Sequence, residues 1–154
     1  MKLETGSFGT LEYEEPAIIH LPEGMLGFAK FKRYILVENE EIQPFKWLQS
    51  LDLPQVAFPL LDPHLVVEDY SCLATAEDLR SLGIEQDSDL VTLAVSIIPE
   101  DAAQATINLK APLLINHRKM IGKQVILSES HYDTMVPILS AIDKTTPASQ
   151  TTSL

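Results

Sequence analysis

Hydrophobic positions along the chain fall in short runs with a two-residue beat, and few of them form helical stripes. In 90–97, Val91, Leu93, Val95 and Ile97 alternate with Thr92, Ala94 and Ser96, the pattern of a half-buried strand. Residues 33–38 and 55–61 are β-branched or aromatic runs closed by charged, Asn or Pro residues, and both read as strands. The second contains Pro59, which has no N–H for a ladder and predicts an edge strand or a bulge. Residues 113–116 and 123–127 flank His117, Arg118, Lys119 and Gly122, a spacing that predicts a hairpin with a longer loop. A further hairpin is predicted at the start, with arms at 3–5 and 10–13 around a turn at 6–9. Thr75 followed three residues later by Asp78 forms a capping-box signature, Leu79 and Leu82 share one side, and Gly83 stops the element. A helix over 76–82 follows. A second helical turn, over 133–139, is interrupted by Pro137. Many short strands with turn signals and few helices predict a mainly β fold: a small antiparallel β-barrel-like single domain with one or two short helices.

Size agrees with one domain, since 154 residues bury a single core. Residues 1–140 are expected to form the barrel domain and 141–154 a polar tail, disordered in the free protein. The 22 Asp and Glu against 11 Lys and Arg give a formal charge of −11. That charge repels phosphate backbones and anionic membranes, so no direct nucleic-acid or membrane partner is expected. No apolar run approaches the ~18–20 residues that span a bilayer, and the start has no basic region followed by an apolar one, so the expected location is cytoplasmic. The single cysteine, Cys72, forms no internal disulfide and is expected to pack as a small hydrophobe.

Signatures of catalysis and cofactor binding are missing: there is no G-x-G-x-x-G, P-loop, H-E-x-x-H, G-x-S-x-G or C-x-x-C. His20, His64, His117 and His131 lie 44, 53 and 14 residues apart, without the close pairing that turns two ligands toward one metal. Ser130, His131 and Asp133 mimic a triad only in name, because sequence neighbours rarely converge. No catalytic, metal or cofactor residues are therefore assigned. Charge is unevenly distributed. Residues 68–101 hold nine acids and one base, Arg80, whereas residues 110–123 hold Lys110, Arg118, Lys119 and Lys123 with no acid. An electrostatically polarised molecule is expected. Its acidic stretch reads either as a solubilising face or as a surface for a basic partner.

Pro44-Phe45-Lys46-Trp47-Leu48-Gln49-Ser50, followed by Val56-Ala57-Phe58 and Asp62-Pro63, resembles the FliW family of bacterial flagellar assembly factors. Ile18-Ile19-His20-Leu21-Pro22-Glu23-Gly24 with Gly27-Phe28, the pair Asp69-Tyr70, the run from Thr106 through Asn108 and Pro112 to Asn116, and 122–127 extend the likeness in the same order. Only the tail lies outside it. The resemblance implies a non-enzymatic, cofactor-free β-barrel regulator that binds the translational repressor CsrA and, alternatively, flagellin. Flagellin holds the factor; once flagellin is exported, the freed factor binds CsrA away from its RNA-contacting face and relieves repression. Glu68, Asp69, Glu85, Asp87 and Asp89 are the expected CsrA-facing acids. Phe45, Trp47, Gln49, Phe58, Tyr70, Asn108, Pro112 and Asn116 are the family-motif positions, structural or groove-lining. The aromatics are expected in the core or a groove, and the two asparagines on turn backbone. The protein is expected to be monomeric alone. A dedicated flagellin chaperone without CsrA function is the alternative, and a small-molecule or enzymatic barrel would require a deep polar pocket.

Overall fold

The computed structural model describes residues 1–6, 8–38, 40–71, 74–128 and 130–138. Cys72, the end of the segment 133–139 and the whole of 141–154 lie outside these residues, as do the expectations for them. The strands are β1 (Lys2–Glu4), β2 (Thr10–Glu12), β3 (Ile19–His20), β4 (Arg33–Val37), β5 (Lys46–Ser50), β6 (Ala57–Leu61), β7 (Leu90–Ile97), β8 (Thr106–Ile107), β9 (Leu113–Asn116), β10 (Ile121–Gln124) and β11 (Val136–Pro137), and the helix α1 spans Ala76–Ser81.

Seven strands roll into a barrel in the order β3-β4-β5-β6-β7-β9-β10, closed where β10 meets β3 in parallel through Ile121↔His20. The other pairings in the barrel are antiparallel. Six of the seven strands send side chains inward, among them Ile19, Tyr34, Leu48, Leu60, Leu93, Leu113 and Ile115, whereas Ile121 of β10 packs outward. The interior is thus a packed core, and each fully buried Leu there contributes about 2 kcal/mol.

Neighbouring residues serve two cores at once. Leu60, Leu93 and Leu113 point inward, while Leu61, Ala94 and Leu114 point outward into a second cluster with Tyr70, Leu82, Ile107, Leu109, Val125 and Leu127. β7 is therefore not half-buried as its alternation predicts. Ala94 and Ser96, on its polar phase, are buried, whereas Ile97 is 56% exposed. Val66, Tyr70 and Ala74, between β6 and α1, together with Val125, Leu127, Tyr132 and Ile138, cover the outer face, and the inner face runs out into solvent at the strand's end, at Ile97. A third cluster forms where Leu3, Leu11 and Tyr13 lie against Ile18, Ile35 and Leu51. It fixes the predicted opening hairpin on the barrel's flank in the register Leu3↔Leu11.

Three further expectations change in the structure. β6 is no edge strand: β5 pairs it as far as Lys46↔Leu60, and β7 pairs Leu60 and Leu61. Pro59 precedes the β7 ladder, so its missing N–H removes no rung. The β9–β10 hairpin has a shorter loop than the sequence suggests, because Gly122 lies within β10, opposite Ile115. A Cβ there would lie 3.2 Å from the Leu114 carbonyl oxygen and 3.3 Å from Leu21, which explains a glycine in a strand. Finally, Val136 and Pro137 form no helical turn but a strand, paired with Ile107 and Thr106. Pro137 is tolerated because β11 is the outermost strand. The helix at 76–81 forms as the sequence predicts: the Thr75 hydroxyl accepts the Asp78 N–H at 3.0 Å, the Asp78 carboxylate accepts the Thr75 N–H at 3.3 Å, and Gly83 leaves it at φ 68°.

Candidate functional site

The acidic and basic stretches do not form opposite poles. The β9–β10 turn folds against the loop after α1, and their charges interlock. Asp89 is 3% exposed. One of its oxygens accepts the N–H groups of Glu85 and Gln86 at 3.0 and 3.2 Å, and the other takes Arg118 Nε at 3.2 Å. Arg118 Nη2 also reaches Glu85 at 3.1 Å. Further along, Lys123 Nζ lies 2.9 Å from Asp78 and 3.6 Å from Glu23. The guanidinium of Arg118, aided by the two N–H groups, holds the Asp89 carboxyl far below its ordinary range, and Lys123 does the same, less strongly, for Asp78. In return Arg118 and Lys123 are raised. The expected polarisation fails because two of the four cations of 110–123 neutralise acids of 68–101.

Asn116 pins this junction. It is fully buried; its Oδ1 accepts the N–H groups of Arg118 and Lys119 at 3.0 and 3.1 Å, and its Nδ2 donates to the carbonyls of Leu82 and Gly83 at 2.9 and 3.2 Å. One amide thus shapes the hairpin turn and ties it to the end of α1. Asn108 plays the simpler part, its Oδ1 accepting from Lys110 and Ala111. Pro112 is buried, and its carbonyl takes the Val125 N–H at 3.0 Å. Gln49, also buried, donates through Nε2 to the carbonyls of Ser50, Pro54 and Val56, stitching the loop between β5 and β6.

The aromatic positions divide between the cores. Phe58 packs inside the barrel, edge-on to Phe28 with centroids 5.2 Å apart. Phe45 lies against the outer core. The Tyr70 hydroxyl donates to the Leu109 carbonyl at 2.8 Å while its ring lies 4.7 Å from Tyr132. Trp47 points outward from β5 and is half-covered by Phe8, 5.6 Å away. Of the five acids, Asp89 is a buried structural group and Glu85 is held by Arg118. Glu68, Asp69 and Asp87 remain exposed and, among the described residues, without an ion pair. The interlock escapes sequence reading because Arg118 and Asp89 stand 29 residues apart, and Lys123 and Asp78 stand 45. Only the Gln86-to-Asp89 spacing, a turn before a strand, hinted that Asp89 is internal.

One groove opens beside the barrel wall. The β6–β7 ladder stops at Leu61↔Ala94 although β7 runs back to Leu90, where only β9 pairs it. A cleft of about 520 Å³ there is lined by Leu90–Leu93, Pro44, Lys46, Asp62, His64 and Leu65. Within it, His64 Nδ1 lies 2.8 Å from Asp62 Oδ1, and Lys46 is engaged by Glu38 at 2.6 Å. Ser130, superficially triad-like in sequence, instead donates its hydroxyl to the Leu127 carbonyl. Among the described residues no three His, Cys, Asp or Glu side chains gather to hold a metal, and no helix is long and apolar enough to cross a membrane.

A filled barrel braced outside by a second core, with its polar motif residues spent on backbone, defines a β-barrel scaffold. The FliW protein family model matches residues 2–138. Two proteins called flagellar assembly factor FliW are similar along nearly the whole chain: that of Geotalea uraniireducens is 36% identical over 94% of this chain and 88% of its own length, and that of Geobacter sulfurreducens 39% identical over 89% and 86%. A crystal structure of the flagellar assembly factor FliW superposes with a TM-score of 0.85 at 30% identity, over 90% of this chain and 96% of that one. The chain belongs to the FliW family of flagellar assembly regulators, which are not enzymes.

Proposed function

We propose that the protein is a cytoplasmic partner switch: it binds the translational repressor CsrA, lowers its affinity for flagellin messenger RNA, and is itself held by flagellin until flagellin is exported. Family membership across the whole described chain is the observation that carries the reading. Electrostatics supply a mechanism. A domain of charge −11 docked beside a basic RNA-binding face puts negative potential where phosphates must approach. That potential reaches about 8 Å at physiological salt, so no shared site is needed. Glu68, Asp69 and Asp87 are the acids of the proposed CsrA-facing surface still free to contribute; Asp89 is spent internally. By linkage, the factor by which this protein weakens RNA binding to CsrA equals the factor by which RNA weakens this protein's binding.

Calorimetric titration with CsrA from the same organism, at two salt concentrations and again with saturating flagellin, tests the reading. Salt-weakened CsrA binding that flagellin abolishes is the expected result, and reversing charge at Glu68 and Asp69 together weakens it further. Flagellin binding with no CsrA complex at either salt would instead identify a dedicated flagellin chaperone.

A further inference from the structure

The sheet does not end at the barrel mouth. β7 runs past it and carries β8 and then β11 as a three-stranded ribbon, in the registers Ser96↔Ile107↔Val136 and Ile97↔Thr106↔Pro137. The first row faces the outer core: Ile107 is fully buried, Ser96 is 2% exposed and Val136 packs there. Strand alternation puts Ile97, Thr106 and Pro137 on the opposite face, and Met135 lies in the bend that leads into β11. Among the described residues this second face has no cover. Ile97 is 56% exposed, Met135 63%, and the adjoining Ile98 39%. Exposed apolar side chains grouped on one face, unlike scattered ones, mark interaction sites.

Three observations define what fits. The ribbon's open edge is β11, two residues long with a proline, so it offers a poor ladder to an added strand. Docking must use the face. The segments that build the ribbon, 97–109 and 130–138, contain Glu100, Asp101 and Asp133 and no Lys or Arg, and these exposed acids have no ion pair among the described residues. A second copy of this chain would bring the same acids and the same net charge to the contact, which excludes self-association as the favoured use.

We propose that this face docks a cationic amphipathic helix, its apolar stripe covering Ile97, Met135 and Pro137 and its flanking Lys or Arg side chains meeting Glu100, Asp101 and Asp133. The inference does not depend on the partner-switch reading, since the acids proposed there lie elsewhere in the chain. The probe is a synthetic helical peptide with leucines at i, i+3, i+4 and i+7 and lysines beside them, compared with the same stripe flanked by glutamates. Binding is followed by calorimetry at two salt concentrations and by amide chemical shifts of the full chain. The lysine peptide is expected to bind and to shift Ile97, Thr106 and Met135, and the glutamate peptide is expected not to bind. Replacing Ile97 and Met135 by serine should weaken binding about tenfold or more. Reversing Glu100 and Asp133 to lysine, which leaves the apolar face intact, should weaken it and flatten its salt dependence. The proposal is overturned if the lysine peptide does not bind, if both variants bind it like the parent chain, if the shifts fall on another surface, or if sedimentation shows a dimer that Ile97→Ser dissociates.

Discussion

The Tyr34 hydroxyl is fully buried inside the barrel and has no hydrogen-bond partner among the described residues. Burial, reinforced by the negative charge of Asp52, pushes its pKa up to about 12. An unpaired buried hydroxyl costs more than it contributes, so Tyr34→Phe should leave stability unchanged or raise it by about 1 kcal/mol in urea denaturation. The variant should also change the alkaline limb. In the parent chain the unfolded tyrosine ionises near its ordinary value of 10 while the folded one does not. Stability is therefore complete below pH 10 and falls as pH rises toward 12, and that component vanishes in Tyr34→Phe. Asp52 has the opposite character. Burial disfavours its charge, but the N–H groups of Lys32 and Arg33 and the Arg33 side chain outweigh burial and lower its pKa.

The junction between α1 and the β9–β10 hairpin is where element-scale energetics concentrate. Asp78 and Asp89 have folded pKa values below their ordinary 3.8. As pH falls, the unfolded chain takes up protons first, so the stabilisation they give is complete above the ordinary value and is lost as pH drops through the folded one. Asp89→Asn should be less stable at pH 7 and show a shallower loss between about pH 5 and pH 2, measured by thermal unfolding across that range. The elements themselves were readable wherever the signal was local. Thr75 with Asp78 announced α1, alternation announced β7, and paired runs announced both hairpins. What joins the elements was not readable. Arg118 finds Asp89 through tertiary folding alone, and 133–139 reads as a helical turn in sequence because a two-residue edge strand is too short to show a period. The burial of Ala94 and Ser96 was hidden for a related reason: alternation reports one covered face, and this barrel wall has two. The motif asparagines and Gln49 were legible as positions, while their backbone partners were not.

At the scale of the whole molecule, the barrel is a sheet whose ends meet. Neighbouring strands such as β4 and β5, or β7 and β9, are joined over four registered pairs, but β3 and β10 are joined at one, Ile121↔His20, with the His20 N–H donating to the Met120 carbonyl at 3.0 Å. Local opening favours the boundary that gives up the fewest contacts. Native-state hydrogen exchange should thus release the His20 amide through a partial opening of lower free energy than the one that releases Leu48 and Leu93 amides; equal free energies would mean that the barrel opens only by global unfolding. The seam works as a clasp. When it parts, the wall from β4 to β9 keeps its ladders while the closed core gains a lengthwise slit, so thermal breathing in this protein has an address, and a ligand or partner that bridged β3 and β10 would act by shutting it.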